Sequence, residues 1–285
     1  MPQMKVLIAR FPGLCIGGGE HPDTTDWYAR TVIKAKADPR ISDLQFWRKF
    51  DTPITMSRNM SLEIAKKSGA DLVVWIDADM SPDLYLGKDK DAVPFWDVAF
   101  NFCFKHAGPC FICVPYCGPP PHENVYIFKW CNFQSDHPNP DMRIEQYTRE
   151  EAAVKHGIER IAAAPTGLCM FHMDGVKKLA PPYTYYEWKD EFASEKASTE
   201  DVTFSRDLSL HAGVPLYVIW DAWSGHNKIK CVGRPVVIDA DQVSEKYKQA
   251  ILRGQAAKNG MRLEEQTGRP KVNGPVVGLS PEPVT

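Results

Sequence analysis

The apolar positions of this 285-residue chain fall into short unbroken runs and helical stripes. Met4–Ala9 is a short apolar run that predicts a strand, and Thr24–Lys36 predicts a helix that ends before Asp38-Pro39. Leu44–Phe50 predicts a second strand. Ser57–Lys67 predicts a second helix, opened by Ser57-Arg58-Asn59, with Met60 and Ile64 four apart toward the core and Gly69 as its stop. Leu72–Ile76 holds no polar residue, as in a strand covered on both faces, and Asp71 marks the edge of burial. Strand, helix, strand, helix, strand in succession predicts a Rossmann-like α/β domain: a mostly parallel sheet flanked by helices.

The second half is more broken. Residues 118–147 are rich in Pro, Asn, Asp and His and predict a long loop, of the kind that in a compact domain is functional or mobile. Thr148 and Glu151 have the spacing of a capping box, and Ile158–Ala163 and Leu168–Met173 predict strands joined at Pro165-Thr166-Gly167. A short helix leads to Pro181-Pro182-Tyr183-Thr184-Tyr185-Tyr186-Glu187-Trp188, a Pro-punctuated aromatic stretch suited to stacking on a sugar or base, or to plain packing. Thr199 caps a predicted helix from Glu200 to about His211 that Gly213 stops. Leu216–Trp220 predicts the last strand, with Asp221–His226 as the loop after it. Val243, Tyr247, Ala250 and Ile251 form one stripe of a helix predicted over Gln242–Asn259, and Gly and Pro beyond Gln266 predict disorder. The expected layout is a domain over 1–235, a helical extension over 236–265 and a tail over 266–285.

Charge and cysteine usage narrow the partners. The net charge is −2, which gives no global pull toward nucleic acid or an anionic membrane. Residues 226–285 carry ten Lys or Arg against six acids, so this part is +4 and the rest −6, a mild preference for a polyanion near the C-terminal part. No apolar run approaches the ~20 residues that span a bilayer, and the N-terminus lacks a signal-peptide layout, so a cytoplasmic protein is expected. Eight cysteines fit reduced thiols better than a disulfide framework. Cys110, Cys113, Cys117 and Cys131 with His122 and His137 invite a zinc reading, against which the strand-like run through Cys113 sends alternate side chains to opposite faces.

The chemistry concentrates where Leu72–Ile76 ends in Asp77-Ala78-Asp79. Ligands of open parallel sheets collect beyond the carboxyl ends of the strands, and two crowded carboxylates need a cation or several donors to stay ionised. A hard divalent ion satisfies both conditions; the alternative is an ordinary strand-to-turn exit, since Asp, Ser and Pro in Asp77-Ala78-Asp79-Met80-Ser81-Pro82 are all turn formers. Arg58, on the same edge, would meet a phosphate or the acids themselves. Gly17-Gly18-Gly19 after the first strand lacks the Lys-Ser or Lys-Thr of a phosphate loop and reads as a flexible loop.

Ser57-Arg58-Asn59, Asp77-Ala78-Asp79, Gly167, Thr199-Glu200-Asp201 and His226, in that order over about residues 4–235, resemble the GT-A fold glycosyltransferases. These carry an Asp-x-Asp motif, a glycine-containing loop, an x-Glu-Asp motif and a C-terminal metal-binding histidine. The resemblance implies transfer of a sugar from a nucleotide-diphosphate donor, a UDP-sugar first, to an acceptor hydroxyl with inversion. It implies Asp79 and His226 on Mn²⁺ (or Mg²⁺), Asp77 on the ribose or on the metal through water, and Asp201 as general base. It further implies Ala9, Arg10 and Asp51 beside the base or ribose, Arg58 and Gly167 in the donor site, and Glu200, Tyr186 and Trp188 toward the acceptor. The acceptor is either a glycan or cell-envelope saccharide or hydroxymethylated pyrimidine in phage DNA, and a chain of this length without an anchor suits a small bacterial or bacteriophage enzyme. Competing expectations are a nucleotidyltransferase making a nucleotide sugar and a non-enzymatic zinc-binding module.

Overall fold

In the computed structural model, which describes residues 3–12, 20–49, 52–118, 124–131, 144–189 and 196–227 and the backbone of 231–232, the first half follows the expected alternation. β1 (Met4–Phe11), α1 (Pro22–Ala37), β2 (Ile41–Arg48), α2 (Ile54–Ser68) and β3 (Leu72–Asp77) succeed one another. Then come β4 (Met80–Ser81), α3 (Phe95–Lys105), β5 (Phe111–Cys113), β6 (Phe128–Trp130), β7 (Ile144–Gln146), α4 (Arg149–Ala153), β8 (Ile158–Ile161), β9 (Leu168–His172) and α5 (Met173–Val176). The chain continues through β10 (Glu187–Trp188), β11 (Lys196–Ser198), α6 (Glu200–Arg206) with a π-helical turn at Asp207–His211, β12 (Leu216–Ile219), β13 (Gly225–Asn227) and β14 (Cys231–Val232). All of these belong to one compact unit, Met1–Val237.

Seven strands form the central sheet in the order β2-β1-β3-β9-β5-β12-β8. β1 is parallel to β2 and β3, and β12 is parallel to β5; β9 runs antiparallel to both β3 and β5, and β8 antiparallel to β12. The fold is thus α/β with a mostly parallel sheet flanked by helices. β8 and β9, consecutive in the chain, are not neighbours: β8 takes the edge beyond β12 while β9 enters the centre.

Side-chain alternation along the strands divides the core in two. Leu7, Ala9, Val73 and Trp75 face one way and pack with Leu62, Ala65, Phe171 and Phe204 under α2 and α6. Val6, Ile8, Leu72, Val74 and Ile76 face the other way and pack with Trp27, Phe95, Trp96 and Phe100 under α1 and α3. β3 is buried on both faces, as an unbroken apolar run requires.

Several local expectations are corrected. α2 begins at Ile54, so Ser57-Arg58-Asn59 lies one turn inside it, and the face it buries is Ser57, Arg58, Ser61, Leu62 and Ala65. Ile64 is 39% exposed and Met60 half-buried, while Ser61 on the inward face accepts the Trp75 indole N–H on its Oγ at 3.0 Å. β2 starts three residues before Leu44 and ends at Arg48. Leu216–Ile219 is not the last strand, since β13 and β14 follow it. Within the expected 118–147 loop, β6 and β7 pair antiparallel. The Gly17–Gly19 loop, His122, His137, the helix expected over 242–259 and the tail lie outside the described residues, as does Asp51.

Candidate functional site

Two backbone clips build the site at the carboxyl end of β3. Asp77 N–H donates to the Gly167 carbonyl at 2.8 Å and Ala78 N–H to that of Phe11 at 3.2 Å, which turns the chain after the apolar run. β4 then pairs antiparallel with β13, placing His226 opposite Met80 and Gly225 opposite Ser81. Asn227 tightens this clip: its backbone N–H reaches the Asp79 carbonyl at 2.6 Å, and its side-chain amide donates to the same carbonyl at 3.1 Å and to Ser81 Oγ at 2.7 Å. His226, expected in a loop, is therefore a strand residue held in register with the acidic turn 147 positions earlier.

The result is a carboxylate and an imidazole face to face. His226 Nε2 lies 3.4 Å from Asp79 Oδ2, and both residues are almost enclosed, at 8% and 9% exposure. His226 Nδ1 is 3.0 Å from the Cys117 carbonyl oxygen, which can only accept. In the neutral ring the proton is thereby placed on Nδ1 and the lone pair on Nε2, toward Asp79, the tautomer in which histidine binds metal. Tyr116 and Tyr126 wall the imidazole, with ring centroids 5.0 and 6.2 Å away.

Asp77 has a different partner. Arg58, 2% exposed, spans its two oxygens with Nη2 at 3.1 and 3.2 Å, while Nη1 reaches Glu200 at 3.0 Å and Asp201 at 2.8 Å. The guanidinium lies 5.7 and 5.6 Å from the Phe11 and Trp75 ring centroids, and its buried Nε has no hydrogen-bond partner. Burial alone would lower the Arg58 pKa, but Asp77, Asp201 and Glu200 hold it above its ordinary value. Burial pushes the Asp77 carboxyl up to about 6; Arg58 opposes this, and Asp79 and Asp201 add to it. Glu200 is likewise raised, by burial and then by Asp201.

Arg58 is thus engaged by three acids, Asp77, Glu200 and Asp201. The ligand atoms of Asp77, Asp79 and His226 do not all fall within 4.8 Å of one another, so a set of three direct metal ligands is not preassembled. Ala9 and Arg10, expected in a loop beside the base, are still within β1; Ala9 is fully buried, and Arg10 pairs with Glu20 at 2.7 Å over the Tyr28 ring. Asp201 follows the N-cap Thr199 in the first turn of α6, and its Oδ1 accepts from both Arg58 and the Thr166 hydroxyl. Gly167 has no room for a side chain, since a Cβ there would stand 2.6 Å from the Tyr116 hydroxyl that its own N–H contacts at 3.1 Å.

Glu200 bonds the Tyr186 hydroxyl and so joins the acids to a neighbouring groove of about 810 Å³. Trp47, Met56, Met60, Ile64, Tyr186 and Trp188 line it, with Met56 55% and Trp188 46% exposed. Asn59 fixes its far wall to α2: the side-chain oxygen accepts from the Tyr183 and Thr184 N–H groups at 2.7 and 3.1 Å, and its amide donates to the Thr184 carbonyl at 2.8 Å. The exposed Ile64 and half-buried Met60 of α2 are explained by this groove. Tyr116, Thr166 and the Cys117 carbonyl were not singled out from sequence. Tyr116 and Thr166 had a weak signal, their closeness to Cys117 and Gly167, whereas a carbonyl carries none.

No protein-family model and no curated protein matches this chain. Among solved structures it is similar to A197 from STIV, at 12% identity over 85% of this chain and 99% of that one, with a TM-score of 0.46. It is also similar to UDP-glucose pyrophosphorylase complexed with UDP-glucose (9% identity, 90% and 100% covered, TM-score 0.40) and to 4-diphosphocytidyl-2C-methyl-D-erythritolsynthase from Anaerococcus prevotii (11%, 88% and 99%, 0.35). Among the described residues no helix is long and apolar enough to cross a membrane.

Proposed function

We propose that the chain is a metal-dependent glycosyltransferase of the GT-A type, moving a sugar from a nucleotide-diphosphate donor to an acceptor hydroxyl with inversion. The observation that carries this reading is His226 Nε2 standing 3.4 Å from Asp79 Oδ2, with the Cys117 carbonyl 3.0 Å from Nδ1 behind the ring. A mixed imidazole and carboxylate set fits Mn²⁺ better than Mg²⁺, and Asp79 and His226 are the residues that would hold it. When bound, such an ion supplies positive charge to a departing diphosphate.

The remaining work falls to the chain. Asp201 has both of its hydrogen bonds on Oδ1 and a side chain 29% exposed, so Oδ2 takes the acceptor proton as that oxygen bonds to the anomeric carbon and the bond to the diphosphate breaks. Arg58 opposes the burial that raises the Asp77 and Glu200 carboxyls, and orients Asp201 through the hydrogen bond from Nη1. The groove beyond Tyr186 receives the acceptor. Its lining of aromatic, Met, Ile and Pro side chains, with Lys67 as the one basic member, suits a saccharide stacked on Tyr186 and Trp188 better than a DNA duplex, which needs many phosphate contacts.

Incubation with UDP-sugars and Mn²⁺, with and without simple glycoside acceptors, tests the reading through its products. Released nucleoside diphosphate is expected. Released pyrophosphate from a sugar phosphate and a nucleoside triphosphate would move the chain to the nucleotidyltransferases.

A further inference from the structure

At the opposite end of the central strands a second cluster of ligating side chains comes together. Cys103 lies in the last turn of α3, Cys110 immediately before β5, and His172 at the end of β9. His172 is the register partner of Leu72, the first residue of β3, so the cluster is separated from Asp77 by the length of that strand, about 17 Å at ~3.3 Å per residue. Cys103 Sγ is 3.7 Å from Cys110 Sγ, Cys110 Sγ is 3.6 Å from His172 Nδ1, and the three ligand atoms lie within 4.8 Å of one another. No other group of three or more Cys, His, Asp or Glu converges this closely among the described residues. Of the four thiols that invited a zinc reading, only Cys110 belongs to this cluster; Cys113, Cys117 and Cys131 do not.

We propose that Cys103, Cys110 and His172 form a zinc site. The distances are those of a tetrahedron's edges: Zn–S bonds of about 2.3 Å and Zn–N bonds of about 2.0–2.1 Å give edges of roughly 3.8 Å between sulfurs and 3.5 Å between sulfur and nitrogen. His172 Nδ1 faces the thiols; it also accepts from the Cys110 backbone N–H at 3.1 Å and lies 3.4 Å from the Cys110 carbonyl oxygen, so binding an ion exchanges these backbone contacts for a bond to zinc. Two thiols and an imidazole are soft to borderline ligands, which select zinc over the hard ions suited to Asp79. Both cysteines are fully buried and His172 is half-buried, so the ion enters and a water completes the shell from the histidine side. Bound there, zinc ties the C-terminal end of α3 to two central strands, independently of any ion at His226.

Elemental analysis of the full chain, purified without added metal and again after zinc supplementation and gel filtration, should find one equivalent of zinc. Replacement by Co²⁺ should give a thiolate-to-cobalt charge-transfer band in the near ultraviolet, which no carboxylate site produces. Cys103→Ser should lose both, and Asp79→Ala should keep both. If the cysteine variant does not fold, the cobalt spectrum of the unaltered chain still decides. Absence of zinc and of that band, zinc retained by Cys103→Ser, or a Cys103–Cys110 disulfide found in unreduced protein would each overturn the proposal.

Discussion

Asp77 and Asp79 stand two residues apart on one turn, and the molecule balances them in different ways. Asp77 belongs to a group of three carboxylates around Arg58, a cation the chain itself supplies from the buried face of α2. Asp79 faces the His226 imidazole, whose Nε2 lies 3.4 Å from its Oδ2 and whose Nδ1 lies 3.0 Å from the Cys117 carbonyl behind the ring. The first arrangement is complete without a ligand and acts as a fixture of the fold. The second sets a carboxylate and an imidazole side by side, a donor set that suits a divalent ion. The same carboxyl end of β3 therefore carries two different charge arrangements, separated by a single alanine, and the proposed metal site is the second of them.

The largest test of that contrast removes the internal cation. Arg58→Met keeps the volume but leaves Asp77, Glu200 and Asp201 facing each other, and a loss of about 3–5 kcal/mol in urea unfolding at neutral pH is expected. Stability within 1 kcal/mol of the parent, on the order of an exposed pair, would show that the cluster is not a fixture. Next comes Asp201→Asn, which retains the contact with Thr166 and removes the base. Turnover should fall about 10²–10⁴-fold while donor-induced thermal stabilisation is unchanged, and unaltered turnover would place the base elsewhere. The smallest effect concerns Tyr116, which bridges the two clusters by bonding Gly167 with its hydroxyl and walling His226 with its ring. Gly167→Ala should cost about 1–3 kcal/mol through the 2.6 Å contact with that hydroxyl, and adding Tyr116→Phe should recover part of it. A cost that Tyr116→Phe does not relieve would show that the ring, not its hydroxyl, sets the limit.

What could be read from sequence follows from how local each signal is. β1, α1, α2 and β3 carry their own patterns and stops, such as Gly69, whose left-handed φ of +71° ends α2, so their succession was legible. α3 was missed, although Phe95, Trp96, Ala99, Phe100 and Cys103 repeat at helical spacing directly after Pro94. The inward face of α2 was misjudged because Arg58 is held inside by Asp77, Glu200 and Asp201, while Ile64 stays out and lines the groove. β13 was hidden for a different reason: three residues with no apolar alternation become a strand because β4 and β14 pair with them on either side. Within the site, the order Asp79, Asp201, His226 was visible in the chain. The Arg58 hub was visible only as one of two options, because whether a cation meets an acid or a phosphate depends on contacts made across 142 residues.

The most direct measurement is pulsed electron paramagnetic resonance on Mn²⁺ bound to the full chain in the presence of UDP. A hyperfine coupling from one imidazole nitrogen is expected, lost in His226→Gln, with Mn²⁺ affinity strongly reduced in Asp79→Asn and folding stability nearly unchanged in both. Mn²⁺ that binds without a nitrogen coupling, or with one that survives His226→Gln, would contradict the assignment of Asp79 and His226 as the metal site.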